Sequence, residues 1–349
     1  MIQPFAAALA ADDEIGVWFT PEAELTAMLA FEAALAGAQA ACGLIPAEAE
    51  VAIATAIAAF TPDIPALAAG LRQDGVLGPS LIAALRRGVA EPCAKYLHFG
   101  ATSQDIADTA LTLRLKPVLA LLDDRLAGLI IALEEVRAAQ GAVRLMAQTR
   151  MQQALPFTVA DKLATWLQPL PRHRARLAAL APRLLVVQLG GPVGTRAELR
   201  GQGDAVAAGL AQRLGLHDAA CWHTSRDHIV ELGSIAALIG GALGKIGADA
   251  ALLAQTEVAA LRIEGGGKSS AMAHKANPVT AELLVTLARY TSGLAGTLTS
   301  ALVHENERSG AAWALEWLTL PPLLCAAGTA LAQATSLARR LRFIQATGP

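Results

Sequence analysis

Apolar residues recur at spacings of three and four along two long stretches of this chain. After Asp105, Leu111, Leu115, Val118, Leu122, Leu126, Leu129, Leu133 and Val136 fall on one helical face. This predicts a long amphipathic helix with Pro117 as a kink or boundary. After Arg226, Ile229, Leu232, Ala236, Ile239, Leu243, Ile246, Ala250 and Leu253 repeat the pattern over more than three heptads, the seam of a helix bundle. Gly240, Gly241, Gly244 and Gly247 lie within that seam. Each would weaken an isolated helix by about 1 kcal/mol, so the pattern predicts close approach of a neighbouring helix. A third long helix is expected from near Pro278 towards His304. Before these, Pro46, Pro62, Pro65, Gly75, Gly78 and Pro79 cut the N-terminal part into short helices. The reading is all-α: an N-terminal helical domain over 1–94 and a central long-helix bundle domain over 95–349.

Composition strengthens that reading. Hydrophobic residues are 54% of the 349 and aromatics only 4%, with alanine, the best helix former, supplying much of the excess. Helices this apolar expose more surface than one chain can hide, which predicts a multi-chain bundle. Leu318 to Ala338 carries no charge and is long enough to span a bilayer. Pro321, Pro322, Gln333, Thr335 and Ser336 within it favour a buried helix in an oligomer core, and no membrane partner is expected. A net charge of -2 gives no basic surplus for nucleic acid. Cys42, Cys93, Cys221 and Cys325 form no CxxC pair and read as buried thiols of a reducing cytoplasm. The N-terminus lacks the basic start of a signal peptide, so a cytoplasmic location is expected.

Three polar segments punctuate the apolar helices. The first is His98-Phe99-Gly100-Ala101-Thr102-Ser103-Gln104-Asp105, a helix start with Ser103 or Thr102 as N-cap and free amides that suit an anion. The second, Thr149-Arg150-Met151-Gln152-Gln153, is a dense donor set that by itself reads as a solvated helix end. The third, Gly265 to Pro278, sets two hydroxyls, an imidazole, an ammonium and an amide behind three glycines, which predicts a mobile arm closing on an anion. The GxxxxGK[ST] spacing of a phosphate loop is absent, and Gly190-Gly191-Pro192-Val193-Gly194 needs to be no more than a tight turn. His223 and His228 do not share a helix face, and no metal-ligand spacing occurs, so neither a metal nor another cofactor is expected.

Lys268 to Pro278 resembles the signature GSSxMPxKxNP of the fumarase/aspartase superfamily, with Lys268 for its Gly and Ala273 for its Pro. Gly100, Thr102, Ser103, Asp105, Asp108 and Thr109 resemble its GxTSxDxxDT element, and Thr149 to Pro156 its THxQxAxP element. The order of the three motifs is the family's. Arg150 stands where fumarases, argininosuccinate lyases and adenylosuccinate lyases carry His. That departure, with Glu307-Arg308, Trp313 and Glu316-Trp317, resembles the cycloisomerase branch; an amine lyase such as adenylosuccinate lyase is the runner-up.

The resemblance implies a helical homotetramer whose active sites draw on several chains, with a small polycarboxylate as substrate. It also implies a further C-terminal helical domain, expected here to be short or missing. In the cycloisomerase branch a substrate carboxylate adds across a conjugated double bond, so the protein must fold a polyanion, stabilise an enolate and deliver a proton. By resemblance Ser269 transfers the proton, Lys275 and Asn277 bind the carboxylate that becomes the enolate, and His98 orients or protonates. Thr102, Ser103, Thr149, Arg150, Gln152, Ser270 and Arg308 are implied in substrate binding. Glu282, at the position of the family's histidine-pairing carboxylate, is expected to pair with Arg150, across a subunit boundary.

Overall fold

The computed structural model describes residues 4–268, 272 and 276–345. Two one-turn helices, α1 (Pro4–Ala7) and α2 (Asp13–Gly16), lead into α3 (Pro21–Ala41), α4 (Ala47–Ala59), α5 (Ile64–Asp74) and α6 (Gly78–Arg86). Then come α7 (Ser103–Gln140), a hairpin of β1 (Arg144–Thr149) and β2 (Gln152–Thr158), α8 (Val159–Leu167), α9 (Pro169–Leu184) and α10 (Gly203–Leu214). The chain continues through α11 (Asp227–Leu253), β3 (Leu261–Ile263), β4 (Gly267–Lys268), β5 (Ala276–Asn277), α12 (Val279–Ser300), α13 (Gly310–Arg339) and β6 (Leu341–Phe343). The strands form three antiparallel pairs, β1–β2, β3–β6 and β4–β5. The fold is a bundle of long helices of the kind the periodicity predicts.

Local sequence signals set the helix starts. Pro21 follows the cap Thr20, whose hydroxyl accepts from Ala23 N at 3.2 Å, and Ser309 caps α13 through Ala312 N at 3.1 Å. Two expectations need correction. Helix α3 is not short but runs 21 residues, because no Pro or internal Gly other than Gly37 interrupts it. Pro117 is no boundary either; it lies inside α7, which is 38 residues long in all, since packing on both sides of the missing N–H outweighs one lost backbone bond.

Every residue of the predicted seam on α11 is buried. A Cβ on Gly240, Gly244 or Gly247 would collide with Thr291 Oγ1, Ala288 Cβ and Ala281 O respectively. These glycines therefore bring α11 and α12 to close approach, whereas Gly241 faces open space. Two apolar cores result. One joins most of α7 to α8, α9, α11, α12 and α13. The other joins α3 to α6 and the first turns of α7 with Val187, Leu189 and α10, a long-range contribution that no periodicity announced. By length and composition α11 and α13 could each cross a membrane, but 61% of the apolar window in each is already buried within the chain. Of the four cysteines only Cys93 is buried; Cys42, Cys221 and Cys325 are half-buried, which corrects the buried reading for those three.

Candidate active site

The first motif is fixed by a carboxylate. Thr102 is the N-cap of α7 and its N–H donates to Asp105 Oδ2 at 3.0 Å. Asp105, fully buried, also accepts from Gly190 N at 2.8 Å, Gly191 N at 2.9 Å and the His223 Nε2 at 2.9 Å. The two loops fit only because their residues are small. Gly191 has φ +70°, and a Cβ there would lie 2.9 Å from Gly100 O. The Gly190–Gly194 turn thus serves as a clamp on the motif. Burial lowers the His223 pKa, but the hydrogen bond to Asp105 and the neighbouring Cys221 outweigh it and push it up to about 9. Gln104, also fully buried, donates to His223 O at 2.8 Å and accepts from Arg308 Nε at 3.0 Å. Arg308 donates in turn to Pro192 O at 3.2 Å. Arg308 and the Thr102–Ser103 turn therefore belong to one constellation.

One helical turn on, Asp108 takes two bonds from Arg226, at 2.6 and 3.1 Å, and a third from Trp313 Nε1 at 3.0 Å. Arg226 also grips Glu316 at 2.9 and 2.5 Å, and His304 Nε2 lies 3.4 Å from that carboxylate. Arg226, Asp108 and Glu316 are each 1% exposed or less. Burial works against each charge, yet the pairing wins: Arg226 is raised and Glu316 lowered from their ordinary values. Thr109 and Gln188 bond reciprocally, Thr109 Oγ1 to Gln188 O at 3.1 Å and Gln188 N to Thr109 Oγ1 at 2.9 Å. These positions carry the motif's fixed shape. Asp105, Asp108, Thr109 and Glu316 were visible in motif and branch patterns and Gln104 lay in the first polar segment without a role, whereas His223 and Arg226 gave no signal. The partners of these last three lie as far as 204 residues away.

His98 (φ 62°) does not stand free. Its Nδ1 sits 2.6 Å from the buried Glu32 carboxylate. Burial lowers its pKa, but Glu32 more than offsets this and the net shift is upward. The geometry is that of an imidazole anchored by Glu32 at the base of the motif.

The second motif corrects its reading as a helix end. Thr149 pairs with Gln152 across a two-residue turn in which Arg150 (φ 48°) and Met151 (φ 66°) are both left-handed. This is the turn that matches the twist of a hairpin, normally built with Asn and Gly. Non-glycine residues there cost roughly 1–2 kcal/mol each. Thr149, Arg150 and Gln152 are all exposed. In the third motif, β4 pairs with β5 through Gly267 and Asn277. A Cβ on Gly267 would lie 2.5 Å from Val279 Cγ2, and one on Gly266 would lie 3.1 Å from Asn277 O. Gly267 thus permits packing against the start of α12, and Gly266 packing against β5. Asn277 is half-buried, and Glu282, in the first turn of α12, is exposed. Ser269, Ser270 and Lys275 lie outside the described residues.

The chain does not bring its motifs together. At ~1.5 Å per residue, α7 places the first motif ~55 Å from Gln140, where the helix ends. The hairpin departs from there, and at ~3.4 Å per residue its tip cannot return closer than ~25 Å. Gln140 also bonds β6, through Leu341 O at 3.0 Å and Phe343 N at 2.8 Å, and β6 pairs with β3 beside the third motif. The second and third motifs thus depart from one end of the bundle and the first from the other. Among the described residues no ion pair joins Arg150 to Glu282 within the chain, and no group of three or more His, Cys, Asp or Glu could hold a metal.

Against known proteins, a family profile described as Lyase matches residues 10–293. The chain is 44% identical over 326 residues to a 3-carboxy-cis,cis-muconate cycloisomerase of Pseudomonas aeruginosa, covering 91% of this chain and 71% of the relative. It is 40% identical over 327 residues to the Pseudomonas putida protein of the same name, covering 92% and 78%. The crystal structure of 3-carboxy-cis,cis-muconate lactonizing enzyme from Pseudomonas putida superposes with a TM-score of 0.91 at 38% identity, over 98% of this chain and 78% of that one.

Proposed function

Because this chain belongs to the lyase family, within the fumarase/aspartase superfamily, we propose that it acts as a 3-carboxy-cis,cis-muconate cycloisomerase, an intramolecular lyase of aromatic-compound breakdown. The observation that carries the reading is the 44% identity over 91% of the chain to a cycloisomerase of that name. Arg150 supports it: a guanidinium, unlike an imidazole, stays charged throughout the neutral range and can grip a carboxylate bidentately.

The substrate has three carboxylates, and its own carboxylate is the nucleophile. The site must hold the molecule so that this oxygen meets the double bond, and must stabilise charge on the carboxyl group conjugated with the carbon that takes the proton. The first motif offers a rigid rim: Thr102 and Ser103 at a helix N-terminus, with Arg308 fixed beside them by Gln104. Thr149, Arg150 and Gln152 offer an exposed donor set, and Lys275 and Asn277 are assigned to the enolate carboxylate. Ser269 is assigned the proton transfer to carbon. His98 is assigned to hold the Gly100–Ser103 turn through Glu32.

The separation of the motifs along α7 supports a site built from more than one chain. We assign a homotetramer in which the first motif of one subunit meets the second and third motifs of its neighbours, with Arg150 of one paired to Glu282 of another. Leu238 and Leu252 on α11, Val279 on α12 and Leu318 on α13 are exposed and available to that assembly. The enzyme is read as metal-independent and cytoplasmic. Mixing it with 3-carboxy-cis,cis-muconate and following loss of diene absorbance tests the activity, before and after exhaustive chelation. Turnover of an amino-substituted succinate in its place would overturn the reading in favour of an amine lyase. In the same assay Ser269→Ala is expected to lose turnover while Ser270→Ala retains it; the reverse result would shift the assignment by one residue.

A further inference from the structure

We infer that the cleft between α3, α7 and α13 is a second ligand site, built for a small, planar, apolar monocarboxylate with Arg114 as its anion-binding group. Two adjoining cavities, of about 170 and 120 Å³, share Glu24, Leu111, Arg114 and Trp317 as walls. The larger cavity adjoins the first motif at Ser103, but the motif's hydrogen-bonded side chains lie in the next sector of α7. At 100° per residue, Ser103, Ala107, Leu111 and Arg114 fall in one sector, while Gln104, Asp105, Asp108 and Thr109 fall in the next, against His223 and Arg226. Trp313 stands between the two: its indole lines the larger cavity and its N–H is spent on Asp108.

Arg114 is a buried cation with incomplete partners. Its side chain is 9% exposed. It donates to Ala110 O at 3.2 Å, Trp18 O at 3.4 Å and Glu24 Oε1 at 3.4 Å, all at or beyond the long end of N–H to O bonds. Burial pushes its pKa down, and Glu24 only partly restores it. The other carboxylate on the smaller cavity, Glu316, is already held by Arg226 through both oxygens. What the guanidinium lacks is a close, two-oxygen acceptor that meets its fork.

The shape of the cleft sets the rest of the ligand. Met28, Leu77, Leu111 and Trp317 supply apolar walls around the charge. Each cavity is below the ~300 Å³ of sites for drug-sized molecules, which leaves room for one ring and one carboxylate. Such a ligand exchanges with Glu24, whose side chain is 38% exposed and can turn to solvent.

Titration of the full chain with benzoate tests this, with benzamide as the neutral isostere, read by calorimetry and by tryptophan fluorescence. Benzoate is expected to bind about tenfold or more tightly than benzamide, by the charge-assisted bond. Glu24→Gln removes the internal competitor and should tighten benzoate, whereas Arg114→Met should abolish binding. The fluorescence change should be lost in Trp317→Phe. Equal binding of benzamide, no benzoate binding to the wild type, or binding that survives Arg114→Met would overturn the site. If Arg114→Met does not fold, Glu24→Gln decides alone, because benzoate held elsewhere would not tighten when a carboxylate is removed from this cleft.

Discussion

The first and second motifs solve opposite problems with the same residue types. At Gln104–Asp105 the polar side chains are matched inside the chain: Asp105 alone accepts four hydrogen bonds, and Arg226 pairs with both Asp108 and Glu316 in the interior. At Thr149–Gln152 the donors stand on an exposed hairpin tip whose two central residues, Arg150 and Met151, hold left-handed backbones. The first region is finished by folding, because its partners come from the same chain. The second is presented, and its strained turn is the sort of cost a functional site carries. Stability should therefore be concentrated at one end of the molecule and activity without stability at the other.

The largest effect is expected at the finished end. Arg226→Met leaves two carboxylates buried without their cation and should destabilise the chain by about 3–5 kcal/mol, measured by urea denaturation. A loss under about 1 kcal/mol, the range of an exposed pair, would break the contrast.

Next is a pH effect at the same end. Because His223 is raised from 6.5 to about 9 in the folded state, its bond to Asp105 stabilises fully below pH 6.5 and the contribution fades as pH rises through 9. The wild type should lose on the order of 3 kcal/mol across that window, and His223→Gln should show a flatter curve. Parallel curves for the two proteins would count against a charged His223.

At the presented end, Arg150→Ala should lower kcat/KM by about 10–100-fold, the cost of a charged bond to substrate, while stability stays within about 0.5 kcal/mol as for other exposed positions. If Arg150 pairs with Glu282 of a neighbouring subunit, the double alanine variant should be no worse than the sum of the singles and measurably better. Strict additivity would remove the pair from the site. The smallest effect tests the strained turn: Met151→Gly should stabilise the hairpin by roughly 1 kcal/mol, seen as a rise in Tm. A fall in Tm would mean that the Met151 side chain is held by contacts worth more than the strain.

Much of the bundle was legible in the sequence because burial on a helix repeats with the helix. Ile229 to Leu253 showed both the helix and its buried face, and three of the four seam glycines sit where α12 comes close. The motifs were legible for a different reason: Gly100, Thr102, Asp105 and Asp108 are neighbours along the chain, so their spacing is a local pattern. Even there the hairpin at Thr149–Gln152 was not, since Arg-Met is not a turn sequence that propensity favours.

By itself, then, the sequence determined what local chemistry and periodicity can determine: long apolar helices, their order, the capped start of α7 and the three donor-rich segments. Only the tertiary structure decided which groups neutralise one another. That Arg226 closes on Asp108 and Glu316, that His223 meets Asp105, and that Gly191 yields room for Gly100 depend on helices crossing at one place, and residues 90 to 118 positions apart carry no shared period. It was also the three-dimensional length of α7 that placed the first motif beyond the reach of the second, because a helix turns residue number into distance and a rigid rod of 38 residues cannot fold back on itself.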